Sequence, residues 1–167
     1  MKITPEAKII SRISRDEIGL LYQPPNVVQT AINEDRTLII REGNVVVAFC
    51  LWRFLNSQWC EITTLYVAPA YRKKGYFVKI VEKLRNLLSP KIRNAVMFSR
   101  HPAVAKVMIR IGFKPISFFS LTPKIFLNIV LNRLHPLRIV SYLKFLKLGI
   151  AIFQQKFQTY VYQKPTD

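Results

Sequence analysis

The sequence predicts a mixed α/β fold made by one domain of 167 residues. Two segments, residues 37–41 and Val45–Phe54, are predicted to be strands joined by a hairpin turn, and the turn between them contains Gly and Asn, which tolerate a positive φ. A third strand, Trp59–Val67, leads into a basic loop and then a helix with apolar residues on one face. The length and the 50% hydrophobic content fit one sizeable core and argue against disorder.

The other elements follow from caps, breakers and periodicity. Residues 7–13 alternate like a strand, and Ser14 with Glu17 indicates a capping box that starts a helix. Pro24 and Pro25 are expected to end that helix. Further along the chain we predict helices at 27–32, 75–88 and 102–111, the last ending at Gly112, and strands at 94–99, 116–121 and 157–163.

The loop before the central helix has the composition of an anion-binding site. Arg72, Lys73 and Lys74 precede Gly75, which lets the backbone approach a ligand closely. The first N–H groups of a helix lack intrahelical partners and lie at the positive end of the helix dipole, so a bound phosphate satisfies both. Three cations suit a polyanion such as a pyrophosphate, although a solvated basic turn would have the same composition.

Two segments resemble a known family. Residues 65–75 resemble the coenzyme A loop of the GCN5-related N-acetyltransferases (GNAT), whose pattern is Arg or Gln, two residues, Gly, one residue, and then Gly or Ala. Residues 107–115 resemble the second signature of that family, a helix that closes on Gly-Phe before a strand. The spacing of the pair places roughly residues 5–120 within the resemblance, with a last strand at 156–164.

The resemblance implies a GNAT-like sheet, mostly antiparallel and flanked by helices, in which the strands at Leu65 and Val96 run parallel and splay apart around the pantetheine arm. It also implies an acyl-coenzyme A, acetyl-CoA by default, as co-substrate, an amine as acceptor, and no metal. A backbone N–H near Val67 would polarise the thioester oxygen. The cofactor-binding residues that the resemblance implies are Leu65, Tyr66, Val67, Arg72, Lys73, Lys74, Gly75, Tyr76 and Phe77.

Two residues are candidates for proton transfer. Glu61 lies on the strand that lines the cleft, where some members of the family carry a glutamate that deprotonates the amine; alternatively, it pairs with Arg53 on the neighbouring strand. His101 could supply a proton, since imidazole titrates near neutral pH, or it could bond to backbone at the start of the next helix. Met108 stands where the family usually has a proton-donating tyrosine, and a thioether cannot donate. Phe77 stands where the coenzyme A loop of the family usually has its second small residue, Gly or Ala.

A helical insertion of about residues 122–153 separates the last two predicted strands. Its first helix starts at Thr122-Pro123 and carries a polar stripe of Lys124, Asn128 and Asn132; its second starts at 135–136. The apolar run is too short and too interrupted to span a bilayer. Three placements stay open: a helical hairpin packed on the sheet, a lid over the acceptor cleft, or a surface lying on anionic lipid.

The charge is unusual, with a formal net charge of +17 and a pI near 10.3. No Asp or Glu occurs between Glu82 and Asp167, where fifteen Lys and Arg residues lie. This half of the chain is expected to be drawn to nucleic acid, a ribosomal surface, anionic lipid or an acidic protein, or to form a solvated basic face. Cys50 and Cys60 lack a metal-binding spacing, and no secretory signal is recognisable, so a cytoplasmic protein is expected, with attachment to a membrane surface as an alternative.

The function expected from these observations is transfer of an acyl group from acyl-CoA to an amine. One alternative is a catalytically degenerate member of the fold that serves as a basic binding module for nucleic acid or protein; Phe77 and Met108 favour it. Another is a peripheral membrane acyltransferase with a lipid-like acceptor, which the insertion favours.

Overall fold

The computed structural model describes residues 1–17, 19–88, 92–99, 102–133 and 158–163. Its helices are α1 (Pro5–Asp16), α2 (Pro25–Asn33), α3 (Tyr76–Leu88), α4 (Pro102–Arg110) and α5 (Pro123–Arg133). Its strands are β1 (Thr37–Glu42), β2 (Val45–Phe54), β3 (Trp59–Val67), β4 (Asn94–Ser99), β5 (Lys114–Ile116) and β6 (Gln158–Gln163). The bounds predicted for β2, β3 and β4 are confirmed, and those of β1, β6, α2, α3 and α4 are confirmed to within a few residues.

The predicted strand at residues 7–13 is wrong, because this segment is the middle of helix α1. Thr4 caps the helix, its Oγ1 accepting from the Ala7 N–H at 3.3 Å, and Pro5 occupies the first helical position. The predicted capping box is wrong as well, since Ser14 lies inside α1 and Glu17 is its C-terminal cap. Ala7, Ile10 and Ser14 share the buried face, which is the spacing of a helix. Pro24 and Pro25 begin α2 instead of ending a helix.

The six strands form one sheet in the order β1-β2-β3-β4-β6-β5. Among the strands of the described residues, only β3 and β4 pair in parallel; the other neighbours are antiparallel. Helices α3 and α4 cover one face, where Ile80 and Met108 are fully buried against the sheet. Helices α1 and α2 cover the other face beside β2, and α5 covers it beside β4 and β6 through Ile125 and Ile129. The sheet is therefore mixed, mostly antiparallel and flanked by helices, as predicted.

The pairing between strands β3 and β4 ends about half-way along β3. Their pairing runs from Trp59 opposite Asn94 to Ile62 opposite Met97, and β3 then continues to Val67 without β4 beside it. The register between β2 and β3 also shifts at this point, leaving Thr63 as the extra residue of a bulge. The backbone edge of residues 63–67 that faces away from β2 is thus open to a ligand.

The segment after α4 departs from the prediction. β5 is only Lys114–Ile116, and Phe118–Ser120 form a short 3₁₀ turn where the strand 116–121 was expected. The Phe118 ring packs edge-on against Phe98 of β4, with ring centroids 5.5 Å apart, so burial of aromatic surface turns the chain away from the sheet. The predicted helix after Pro123 is confirmed as α5, whereas the predicted second helix of the insertion lies outside the described residues. None of the described helices is long and apolar enough to cross a membrane.

Candidate active site

The basic loop holds its backbone open at the start of α3. Lys73 and Gly75 both have positive φ, +65° and +83°, and the Gly75 carbonyl accepts the first helical hydrogen bond, from the Lys79 N–H at 3.0 Å. Within the described part of the chain, the N–H groups of residues 73–78 donate no hydrogen bond. A Cβ at position 75 would meet nothing within 4 Å. The loop therefore fits a phosphate group, with unpaired donors at a helix N-terminus and open space before them.

The three cations of the loop, Arg72, Lys73 and Lys74, differ in how far other residues hold them. Arg72 Nε donates to the Val67 carbonyl at 3.2 Å, and its Nη2 forms an ion pair with Glu17 at 2.6 Å, so its side chain bends back towards the end of α1. The Lys74 ammonium lies 5.1 Å from the centre of the Tyr71 ring. Lys73 and Lys74 are exposed, and they are the loop cations best placed to meet a polyanion.

Two aromatic side chains at the start of α3 turn away from the loop. Tyr76 donates its hydroxyl proton to Glu42 at the end of β1, and that hydrogen bond raises the pKa of the Tyr76 phenol. Phe77 is half-buried and packs against the core on the α3 face. The bulk of Phe77 therefore lies under the helix, and the open space before Gly75 is kept.

The open stretch of β3 presents different side chains to the two faces of the sheet. Leu65 and Val67 pack on the α3 side, and Tyr66 packs on the α1 side against Phe49, with ring centroids 5.1 Å apart. Burial, with Glu17 nearby, raises the pKa of the Tyr66 phenol. Leu65, Tyr66 and Val67, predicted as cofactor-binding through their backbones, thus lie on the edge that β4 leaves open.

A buried polar network ties the α1–α2 connection to this part of β3. Gln23 Nε2 donates to Thr64 Oγ1 at 3.1 Å, and the Gln23 backbone N–H donates to Ser14 Oγ at 3.0 Å. Ser14 in turn donates to the Ser11 carbonyl at 2.9 Å. All four residues are buried. The wall of the cleft on the α1 side is thereby held at a fixed distance from the strand.

Glu61 lies one residue before the point where β3 and β4 part. Its neighbours Cys60 and Ile62 point into the core on the α3 side, so the Glu61 carboxylate points to the α5 side. Arg53, its register partner on β2, donates from Nε to Glu61 Oε2 at 2.8 Å. Arg53 Nη1 also donates to Asn128 Oδ1 of α5 at 2.8 Å. The cross-strand ion pair considered from the sequence is therefore present.

A second arginine, Arg133 at the end of α5, contacts the same carboxylate. Its Nη2 donates to Glu61 Oε1 at 3.1 Å, and its guanidinium carbon lies 4.2 Å from the centre of the Phe98 ring of β4. The Glu61 side chain is only 2% exposed. With a guanidinium on each carboxylate oxygen, a ligand can contact the Glu61 carboxylate only when one of the two guanidinium groups moves.

The remaining candidates for a chemical role are Met108, His101 and Cys60, and each has a different outcome. Met108 is fully buried in the core beneath α4, so it cannot meet a leaving group. His101 lies outside the described residues. Burial raises the pKa of the Cys60 thiol to about 12, with the nearby Glu61 carboxylate adding to the shift, so this cysteine stays protonated. In the described ranges no cluster of three His, Cys, Asp or Glu side chains could hold a metal ion.

Sequence reasoning missed two contacts at the candidate site, Arg133 to Glu61 and Arg72 to Glu17. The first joins residues 72 positions apart and the second residues 55 apart, so no local pattern reveals them. One signal was available for the first: Asn128 belongs to the polar stripe beside the apolar face of α5, and it accepts a hydrogen bond from Arg53. A partly buried polar residue indicates a polar partner nearby.

The sequence matches the model of the acetyltransferase (GNAT) family over residues 8–105. The chain belongs to this family. The match includes β1 to β4, the basic loop and α3, the elements that build the open cleft. Comparison with curated proteins finds no match.

Solved structures share the GNAT fold over nearly the whole chain. Rv2747 of Mycobacterium tuberculosis, in complex with CoA and NLQ, is 17% identical with a TM-score of 0.69, covering 96% of this chain and 95% of that one. N-acetylglutamate synthase of Neisseria gonorrhoeae, in complex with CoA and N-acetyl-glutamate, is 13% identical with a TM-score of 0.69, and the match covers 99% of this chain and 34% of that one. The ribosomal-protein-S18-alanine N-acetyltransferase of Escherichia coli is 11% identical with a TM-score of 0.62, and the match covers 98% of this chain and 91% of that one. At these identities the likeness concerns the fold.

Proposed function

We propose that this GNAT protein is an acyl-CoA-dependent N-acyltransferase that transfers an acyl group, acetyl by default, to an amine. The observation that carries the proposal is the parting of β3 and β4 after Ile62 and Met97, beside a loop whose backbone donors are unpaired. A strand edge left open in this way can pair with an extended amide-containing arm, and the loop can bind the phosphates that end such an arm. Pantetheine and pyrophosphate form one such ligand.

In this proposal the cofactor and the amine reach the cleft from different sides of the sheet. The N–H groups of 73–78, with Lys73 and Lys74, would bind the pyrophosphate, and residues 63–67 would bind the pantetheine amides. The amine would approach from the face covered by α1, α2 and α5 and attack the thioester carbon, forming a C–N bond as the C–S bond breaks. We assign Glu61 as base for the amine proton, which requires Arg133 to leave Oε1, and His101 as the donor that protonates the thiolate.

The comparisons support the cofactor more than the acceptor. Three of the structures with this fold, from Mycobacterium tuberculosis, Neisseria gonorrhoeae and the NatC complex, were solved with CoA bound. The acceptors named with such structures differ, from an amino acid product to a ribosomal protein and a peptide. The shared fold therefore favours acyl-CoA for this chain as well.

A basic binding module without catalysis is the second candidate, and the buried Met108 favours it. A GNAT protein that lacks a proton donor at this position can keep the cofactor groove and bind an anionic partner through its +17 charge. Retention on heparin that persists at moderate salt, with no CoA released from acetyl-CoA in the presence of any amine, would support the module over the enzyme.

Calorimetric titration with acetyl-CoA at near-physiological salt tests the cofactor site, because a +17 protein binds any polyanion loosely at low salt. The informative pair of variants is Gly75→Glu and Gly75→Gln. Both residues strain the backbone at φ +83°, and they differ only in charge. We expect saturable binding by the wild type, weaker binding by the Gln variant and none by the Glu variant. Absence of saturable binding to the wild type would overturn the proposal.

A further inference from the structure

We propose that Arg133 selects the acceptor by binding a carboxylate near its amino group, so that the acceptor is a free amino acid or a similar small amine. This inference rests on the proposed acyltransferase function and names its substrate class. Arg133 is offered as a specificity-determining residue, on an element that lies outside the segment matched to the family, 8–105.

The guanidinium of Arg133 lies where the two strands part. It contacts Glu61, one residue before the end of the β3–β4 pairing, and Phe98, one residue beyond it on β4. One side chain therefore spans the apex of the cleft on the α5 face. Its side chain is 28% exposed, enough for a ligand in the cleft to reach it.

The charge around Glu61 is not balanced. Arg53, Arg133 and Glu61 together carry one excess positive charge; the Arg53 and Glu61 side chains are only 16% and 2% exposed, whereas Arg133 is partly exposed towards the cleft. Arg133 Nε is also buried with no hydrogen-bond partner among the described residues. Buried charges and donors are costly unless they are paired, which makes this cluster a receptor for an anion.

The chain itself is poorly equipped to supply that anion. The sequence has no Asp or Glu from residue 83 to residue 166, so the part of the insertion beyond Arg133 contributes no carboxylate. The phosphates of the cofactor belong to the other side of the sheet, since their loop leads into α3 on the face opposite α5. The anion is therefore expected to arrive with the acceptor.

Binding of an acceptor carboxylate to Arg133 would also release the base. Arg133 would exchange Glu61 Oε1 for the carboxylate of the acceptor, while Arg53 keeps hold of Oε2 and thus keeps Glu61 in position. The freed Oε1 could then accept the proton of the attacking amine. An acceptor without a carboxylate would leave Glu61 covered.

The test compares amino acids with their carboxamides. L-phenylalanine, L-glutamate and L-lysine, each paired with its α-carboxamide, are offered with acetyl-CoA, and release of the CoA thiol is followed. We expect kcat/KM to favour at least one acid over its amide by about tenfold or more, since a charge-assisted hydrogen bond is lost in the amide. Arg133→Gln should abolish that preference, and Arg133→Lys should keep part of it. Lys124→Gln, which removes an exposed charge from the same helix, is the matched control.

A second readout does not depend on turnover. The preferred acid, and not its amide, should raise the Tm of the wild type, and this shift should disappear in Arg133→Gln. Equal use of acids and amides, equal loss of both in Arg133→Gln, or acetyl-CoA binding with no transfer to any of the acids would overturn the inference and leave the cofactor site standing. Failure of the wild type to bind acetyl-CoA would overturn the proposed function itself.

Discussion

Arg53 Nε donates to Glu61 Oε2 at 2.8 Å, and the two residues face each other directly in the register of β2 and β3. The pair is nearly buried, and Arg53 carries its contact onward to Asn128 of α5. The guanidinium of Arg53 on β2 therefore connects the Glu61 carboxylate of β3 with helix α5, and it links the position of that helix to the pairing of the two strands.

We predict that Arg53→Met destabilises the protein by about 3 kcal/mol, because it leaves a buried carboxylate with one partner instead of two and an amide oxygen of α5 with none. The free energy of unfolding from urea titration measures the loss. Arg15→Met, which removes an arginine from a pair that is 57% exposed on both sides, should change it little. Similar losses for the two variants would contradict the prediction.

Glu61→Gln should lower kcat by about 100-fold or more while leaving the acetyl-CoA Kd within about twofold, since Glu61 lies on the face of the sheet from which we propose that the amine approaches. Steady-state kinetics and calorimetry measure the two quantities. Glu82→Gln, exposed on α3, serves as control. A pH–rate profile that is the same in the Glu61 variant as in the wild type would remove Glu61 as the base.

Glu17→Gln should tighten acetyl-CoA binding by about two- to fivefold. The Glu17 carboxylate forms an ion pair with Arg72 at 2.6 Å and so holds the guanidinium away from the loop. Because a partly exposed ion pair is weak, the gain in affinity on breaking it is small. The effect should vanish when Arg72→Gln is already present. Glu34→Gln, which breaks the ion pair with Arg36 at the end of α2, provides the comparison. Unchanged or weaker binding in Glu17→Gln would show that Arg72 acts from its present position.

Neither cysteine should react with a thiol reagent in the folded protein at pH 8. Burial raises the pKa of Cys60 to about 12 and raises that of Cys50 as well, so almost no thiolate is present below that range. Both thiols should react at once in denaturant, where their pKa values return to ordinary. Rapid labelling of one thiol under native conditions would contradict this and would reopen Cys60 as a nucleophile.

Ser14→Ala should destabilise the protein by about 1–3 kcal/mol, because the buried Gln23 N–H loses its acceptor. Gln23 also donates to Thr64, in the segment 63–67 that we propose binds the pantetheine, so KM for acetyl-CoA should rise as well. Ser57→Ala in the exposed β2–β3 turn is the control for stability. An unfolding free energy like that of the wild type would mean that water or a rotated side chain replaces the Ser14 hydroxyl.

Local sequence was enough for the central sheet and for the basic loop. The strands β2 and β3 are rich in apolar and β-branched residues over nine or ten positions, and Gly75 stands where the backbone has φ +83°, a conformation that few other residues adopt readily. These features depend on neighbours along the chain, which explains why the pattern alone predicted them. The second signature, with Gly112 at φ +96° after α4, follows the same logic.

Local sequence was not enough at the N-terminus or after α4. Residues 7–13 fit a strand by alternation and a helix by the spacing of Ala7, Ile10 and Ser14, and packing of that face on β2 decided for the helix. Likewise, β5 ends at Ile116 because Phe118 packs against Phe98 instead of continuing the strand. A short pattern compatible with two structures is decided by which of them buries more apolar surface.

By itself the sequence indicated the family, the order of the central elements and the position of the basic loop, because these depend on contacts between close neighbours in the chain. It also offered Arg53, eight residues from Glu61 on the neighbouring strand, as a cross-strand partner of that carboxylate. Only the tertiary structure decided that Arg133, 72 positions away, reaches Glu61 as well, and that Phe98 of β4 supports Arg133. Residues so far apart in the chain meet only when α5 packs on the sheet, so no spacing in the sequence predicts that contact.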